Sequence, residues 1–275
     1  MAWTSKKIAC TSCGAPLEVY TPKAKRVVCS HCDAQLDLTT PDYAFIGKIE
    51  RPDSNTILDV GMAGEDSAGL GWRVVGRLRF EGYDEGEPYF WDEFLVLNEE
   101  GESVWLQWEL ETGFTFFAPR RLASPVDPEG AGAFIEVDGE QHRIKERGVC
   151  TLIELEGEMT WKASKGDRFA WIDAGEVGVE WTERELELFD RKSATYEQIA
   201  QIFGLDPGAL RRRGWGTQEG AELVKIFLII GAILLFIAFL GVVSGTCSGN
   251  NGYRSSSSSG YSRGTSFGGG GSFGK

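Results

Sequence analysis

The sequence predicts a mainly β protein. The expected order is an N-terminal zinc ribbon, an antiparallel β sandwich or partly open barrel in two halves, a short helical segment, a single transmembrane helix and a disordered tail. Three observations predict it. Residues 44–190 alternate apolar and polar side chains with period two and are rich in aromatic and β-branched residues, which is the strand signature. Four of the six cysteines form two C-x2-C pairs near the N-terminus. Ile226 to Val243 carry neither a charge nor a hydrogen-bonding side chain. The expected division is 1–40 (ribbon), 44–190 (β domain, with a seam near 119–132), 191–213 (amphipathic helix and basic collar), 223–245 (transmembrane helix) and 246–275 (Gly/Ser-rich tail).

Cys10-Thr-Ser-Cys13 and Cys29-Ser-His-Cys32 are separated by fifteen residues, within the spacing of a zinc site. Each C-x2-C turn presents two thiolates, and two such turns close a tetrahedron around Zn²⁺. All four positions are filled by protein, so the expected zinc is structural. Binding energies of roughly 10–16 kcal/mol mean that metal largely folds such a module. Gly14 and Asp33 follow the two turns, where the backbone often needs positive φ. Leu17–Tyr20 and Gln35–Leu38 read as short strands, and His31 as exposed and not a ligand. The pattern needs reduced thiols, which fits a cytoplasmic setting.

In Tyr89–Asn98 the set Trp91, Glu93, Leu95, Leu97 faces one way and Phe90, Asp92, Phe94, Val96 the other. In Glu102–Leu110 the set Val104, Leu106, Trp108, Leu110 is apolar, while Trp105, Gln107 and Glu109 are mostly polar. Turn residues at Asn98–Gly101 and Glu111–Gly113 separate these strands. Further strands are expected at Trp72–Phe80, Phe114–Phe117, Phe134–Val137, Gln141–Lys145, Val149–Glu156, Arg168–Asp173 and Val177–Trp181. Pro119, Pro125 and Pro128 mark the seam between the halves.

Residues 182–213 look helical. Ile199, Ile202 and Phe203 stand at helical spacing, and Gly204 would end that helix. Thr195–Arg213 has the outline of a helix-turn-helix. The preferred reading is an amphipathic helix packed on the sheet. Arg211, Arg212 and Arg213, with Lys225, would then face anionic lipid heads. The apolar run is long enough to cross a bilayer. The basic residues before it place the body in the cytoplasm and the tail outside.

The chain carries −13 overall and +3 in residues 226–275, hence −16 before the apolar run. So acidic a body is a poor partner for nucleic acid. Two histidines leave little for His-based catalysis. No G-x-S-x-G, P-loop or post-strand G-x-G-x-x-G is present. Glu154, Glu156, Glu158, Glu176, Glu180, Glu183, Glu185 and Glu187 crowd one region, which reads first as a solvated face and second as a site for a metal, a polycation or acid–base chemistry. Cys150 reads as a buried apolar thiol and Cys247 as a bystander.

The middle zone resembles a bacterial family known only as domain of unknown function 4178. The resemblance rests on Val60-Gly61, Val74–Phe80, Trp91–Leu97, Val104-Trp105-Leu106, Gly157–Trp161 and Trp171-Ile172-Asp173. It covers roughly residues 45–190, brings no catalytic residues, and implies a membrane-associated or stress system. With the residue reading, it leads to a non-enzymatic, membrane-tethered adaptor that binds a protein partner or a cationic ligand. Trp91, Glu93 and Trp105 are the expected contact residues. The alternatives are an enzyme using the Glu-rich region and nucleic-acid binding through the ribbon and Arg211–Arg213.

Overall fold

In the computed structural model of the chain, the described residues are 3–50, 56–182 and 185–213. The N-terminal module carries β1 (Lys6–Ala9), β2 (Pro16–Val19), β3 (Arg26–Val28), β4 (Ala34–Asp37) and β5 (Ala44–Lys48). Short β6 (Ala63–Glu65) leads into β7 (Gly71–Asp84), β8 (Glu87–Asn98), β9 (Ser103–Glu109) and β10 (Gly113–Arg120). The hairpin β11 (Phe134–Val137) and β12 (Glu140–Arg143) follows. Then come β13 (Glu146–Met159), β14 (Arg168–Asp173), β15 (Val177–Trp181), β16 (Leu186–Ala194) and helix α1 (Tyr196–Phe203).

Two antiparallel meanders, β7-β8-β9-β10 and β13-β14-β15-β16, close on one another. β10 pairs with β16, and β7 pairs with β13, so the ring has eight strands and no free edge. An eight-stranded ring leaves an interior that side chains fill or that holds one small ligand. The expectation of a sandwich or partly open barrel is corrected accordingly: the barrel is closed.

Closure rests on a close approach of two backbones. Gly76 stands opposite Gly157 in the β7–β13 register. A Cβ at Gly76 would lie 2.0 Å from the Glu158 carbonyl oxygen, and one at Gly157 would lie 2.3 Å from that of Val75. Gly157 also has φ +72°, a conformation that costs other residues about 1–2 kcal/mol. Beside this seam, Arg77 of β7 forks onto Asp92 of β8 (3.1 and 2.8 Å) and reaches Glu154 of β13 at 3.0 Å. Arg77 and Asp92 are fully buried, so their charges are compensated where water cannot reach.

Two apolar layers cover the barrel. Val74, Phe94, Val96, Leu106, Trp108 and Phe114 meet Ile199, Ala200 and Phe203 of α1 on one outer face. Ile135 and Val137 of the hairpin cover Ile172, Val177, Val179 and Leu188 on another. The ribbon has its own core of Ile8, Leu17, Val19, Val27 and Leu36. It is joined to the barrel through β3 on β13 and through Glu158, whose buried carboxylate accepts the Tyr20 and Thr21 backbone N–H groups at 2.7 Å each.

Residues 186–194, expected as helix, are β16. Pairing with β10 on one side and β15 on the other overrides the helix propensity of Leu and Glu. The helix starts at Thr195, whose hydroxyl accepts from the Gln198 N–H while the Gln198 side chain accepts from the Thr195 N–H. Gly204, left-handed at φ 64°, ends it, and a second helix occupies 207–213.

The expectation of a transmembrane helix is also corrected. Among the described residues no helix is long and apolar enough to cross a membrane. The segment 223–245 lies outside the described residues, as do the tail and Cys247. Single-pass anchoring, and the sidedness built on it, are corrected with it.

Candidate functional site

Two constellations carry chemistry. The first is the cysteine cluster. Each C-x2-C turn closes with the same two bonds: the Cys10 and Cys29 carbonyls accept from Gly14 and Asp33 at 2.8 and 2.9 Å, and their N–H groups donate to Ala15 and Ala34 at 2.8 Å. Gly14 and Asp33 take positive φ (77° and 62°), as these turns demand. The four thiols converge within 4.8 Å of one another and could hold a metal ion. Cys10 and Cys32 lie 3.8 Å apart and Cys13 and Cys29 3.9 Å, far from the roughly 2.05 Å of a disulfide. His31 is exposed.

The second constellation fills the barrel. Alternation turns Tyr89, Trp91, Glu93 and Leu95 of β8 inward. The register sets Phe80 opposite Trp91, Gln107 opposite Glu93 and Trp105 opposite Leu95. From the other meander come Phe169, Trp171 and Asp173 of β14 and Glu180 of β15, and Glu187, Phe189 and Arg191 of β16. Glycines opposite the rings make room for them: a Cβ at Gly82 would meet the Tyr89 ring at 2.5 Å, and one at Gly148 the Trp171 ring at 2.9 Å.

Aromatic rings run continuously along the wall. Tyr89 stacks on Trp91 and Trp91 on Phe80, each with centroids 5.4 Å apart. Trp91 meets Trp171 edge-on at 6.5 Å, and Phe169 links Phe80 to Trp161 and so to Trp105. Inside lies a cavity of about 90 Å³, continued by one of about 40 Å³ that shares the walls Phe80, Glu93, Phe117, Phe169 and Glu180. At roughly 10–15 Å³ per water position, the first holds several waters or a small ligand.

Five carboxylates line the larger cavity. Glu93 is 9% exposed, and one of its oxygens accepts the Trp91 indole N–H at 2.9 Å. Its other oxygen has no donor among the described residues. Burial pushes its pKa up to about 7, against the pull of the Trp91 bond. Burial also holds Glu180 well above the ordinary range, and the charges of Glu93 and Glu187 add to this; Arg191 only partly offsets it. Neither Glu93 nor Glu180 has an ion-pair partner among the described residues. At the mouth stand Glu109, Glu146 and Asp173. Glu109 accepts the Thr112 hydroxyl at 2.9 Å, and Asp173 is paired with Arg191, whose guanidinium lies over Phe117. Burial raises Glu109 and Glu146 as well. Burial likewise holds the Cys150 thiol protonated, so it is not a ready nucleophile.

Buried carboxylates without bases are costly, and the cost disappears when a cation arrives. The rings add attraction for that cation within about 6 Å of their faces. Trp91, Glu93 and Trp105 all line this lumen. The Glu-rich run does not form one site. Glu154 pairs with Arg77 outside the barrel, Glu158 holds the ribbon, and Glu180 and Glu187 turn inward; Glu183 lies outside the described residues. Sequence reasoning passed over Tyr89, Glu109, Glu146, Phe169 and Arg191. Alternation puts each on an inward face, but only closure shows that the inward face surrounds a cavity.

Arg211 pairs with Glu197 at 2.6 Å and covers Tyr196, and Arg213 pairs with Asp59 at 2.7 Å. Arg212 is exposed near Asp206, and Lys225 lies outside the described residues. The cluster assigned to lipid heads is thus largely engaged with the protein's own acids. Comparison with protein-family models, curated proteins and solved structures finds no match for this chain.

Proposed function

We propose that this chain is a binding protein whose β-barrel holds a small organic cation, an ammonium, and whose ribbon is a structural zinc module. One observation carries the first part: Glu93, buried between aromatic rings, faces the cavity with Glu180 and without a basic partner. A protein that leaves such a pair uncompensated gives up stability, and a cationic ligand restores it. Nucleophilic catalysis is disfavoured, because the described cavity-lining residues include no serine or histidine and Cys150 keeps its proton. For the ribbon, four sulfurs about 2.3 Å from a central zinc would stand roughly 3.8 Å apart, which the Cys10–Cys32 and Cys13–Cys29 separations match.

Kinship with the family of domain of unknown function 4178 is part of the same proposal. Apart from Val60-Gly61, which precedes β6, the stretches that carry it fall on β7, β8, β9, the closing end of β13 and the end of β14.

The test is calorimetric titration of the full chain at pH 8 with n-butylammonium and with its neutral counterpart, n-butanol. The ammonium is expected to bind, the alcohol to bind at least about tenfold more weakly, and Glu180→Gln to lose a similar factor for the ammonium. Equal binding of the alcohol, or no ammonium binding by the folded chain, would overturn the reading.

A further inference from the structure

We propose that the occupant is a linear aliphatic diammonium ion, held with one nitrogen at the inner carboxylates and the other at the mouth. This rests on the organic-cation reading above and goes beyond it by naming the class of cation.

The carboxylates of the larger cavity fall into two tiers along the strands. The inner tier is Glu93 and Glu180. Glu93 stands opposite Gln107 of β9, and Glu109 is two residues further along that strand. Glu180 stands opposite Trp171 of β14, and Asp173 is two residues further along, facing Glu146 of β13. Both steps lead to the same mouth, where Glu109, Glu146 and Asp173 form the outer tier. Two residues along one face of a strand advance about 7 Å. A zig-zag of roughly five C–C and C–N bonds of about 1.5 Å spans that distance. Two nitrogens separated by about four methylenes therefore match the two tiers.

Charge and shape point the same way. The inner tier holds two acids with no ion-paired base, and the outer tier three acids with only Arg191 against them. One compact monocation would answer one tier and leave the other. Between the tiers stand the rings of Tyr89, Trp91, Phe80 and Trp171, which would sheathe the methylenes. The volume, about 90 Å³, suits a thin chain of a few heavy atoms and excludes a nucleotide or a sugar chain.

The experiment is calorimetric titration of the full chain at pH 8 with three probes: 1,4-diaminobutane, n-butylammonium and 1,2-diaminoethane. The diaminobutane is expected to bind at least about tenfold tighter than n-butylammonium, as one further charge-assisted contact implies, and tighter than the shorter diamine. In the double variant Glu109→Gln, Glu146→Gln, checked for an unchanged circular dichroism spectrum, that advantage should fall below about threefold. If n-butylammonium binds as tightly as the diamine, or if the double variant leaves the ratio intact, the two-tier proposal fails while the cation reading stands. If no ammonium binds, both fail.

Discussion

Glu93→Gln is expected to stabilise the empty barrel above neutral pH while weakening cation binding. The side chains have nearly the same shape, and the carboxamide oxygen still accepts the Trp91 indole N–H. What changes is the charge. Burial moves the Glu93 carboxyl from 4.5 to about 7, which corresponds to roughly 3 kcal/mol at about 1.4 kcal/mol per pH unit. An acid whose folded pKa lies above its unfolded value holds its proton more tightly when folded. Wild-type stability from this group is therefore full below about pH 4.5 and is lost as pH rises through about 7. The variant lacks that loss. At pH 8 it should gain on the order of 3 kcal/mol, or about 6–12 °C in melting temperature for a domain of this size; at pH 4 the two proteins should melt together. The assay is thermal and urea unfolding of both proteins between pH 4 and 8.5, without ligand. A variant less stable than wild type at pH 8, or one with the same pH slope, would refute the claim that Glu93 is buried without compensation.

Cys10→Ser should abolish stoichiometric metal and make residues 6–39 protease-sensitive, read by metal analysis and limited proteolysis; retained metal would contradict the four-thiol site. Gly157→Ala combines a left-handed backbone cost of about 1–2 kcal/mol with a Cβ 2.3 Å from the Val75 carbonyl, so destabilisation of at least about 3 kcal/mol is expected in urea unfolding. An unchanged midpoint would mean that the β7–β13 seam is not built on this close approach.

The local order of the barrel was legible where chemistry is local. Period-two alternation marked most of its strands, and the set Trp91, Glu93, Leu95 was already separated from Phe90, Asp92, Phe94. The two knuckles were legible because spacing, Gly14 and Asp33 all follow from the turn itself. Closure was not legible. It depends on Gly76 meeting Gly157, eighty-odd residues away, and nothing local announces that contact. β16 was misread because Leu186, Glu187 and Leu188 favour a helix until strands offer pairing on both sides. Glu180 looked like part of a solvated acidic face for a related reason. An inward-facing set that mixes Glu with Trp breaks the apolar-inside rule, and such breaks are where a fold makes room for function.

The central claim is that the lumen takes a cation, and the indole N–H resonances test it most directly. Trp91 and Trp171 line the cavity, whereas the indole N–H groups of Trp72 and Trp108 bond outside it, to Asp66 at 2.9 Å and to the Tyr196 hydroxyl at 3.0 Å. In ¹⁵N-labelled full-length protein titrated with 1,4-diaminobutane, the account predicts saturable shifts of Trp91 and Trp171 with Trp72 and Trp108 unmoved. Shifts confined to Trp72 and Trp108, or no shift of any indole at millimolar ligand, would contradict it.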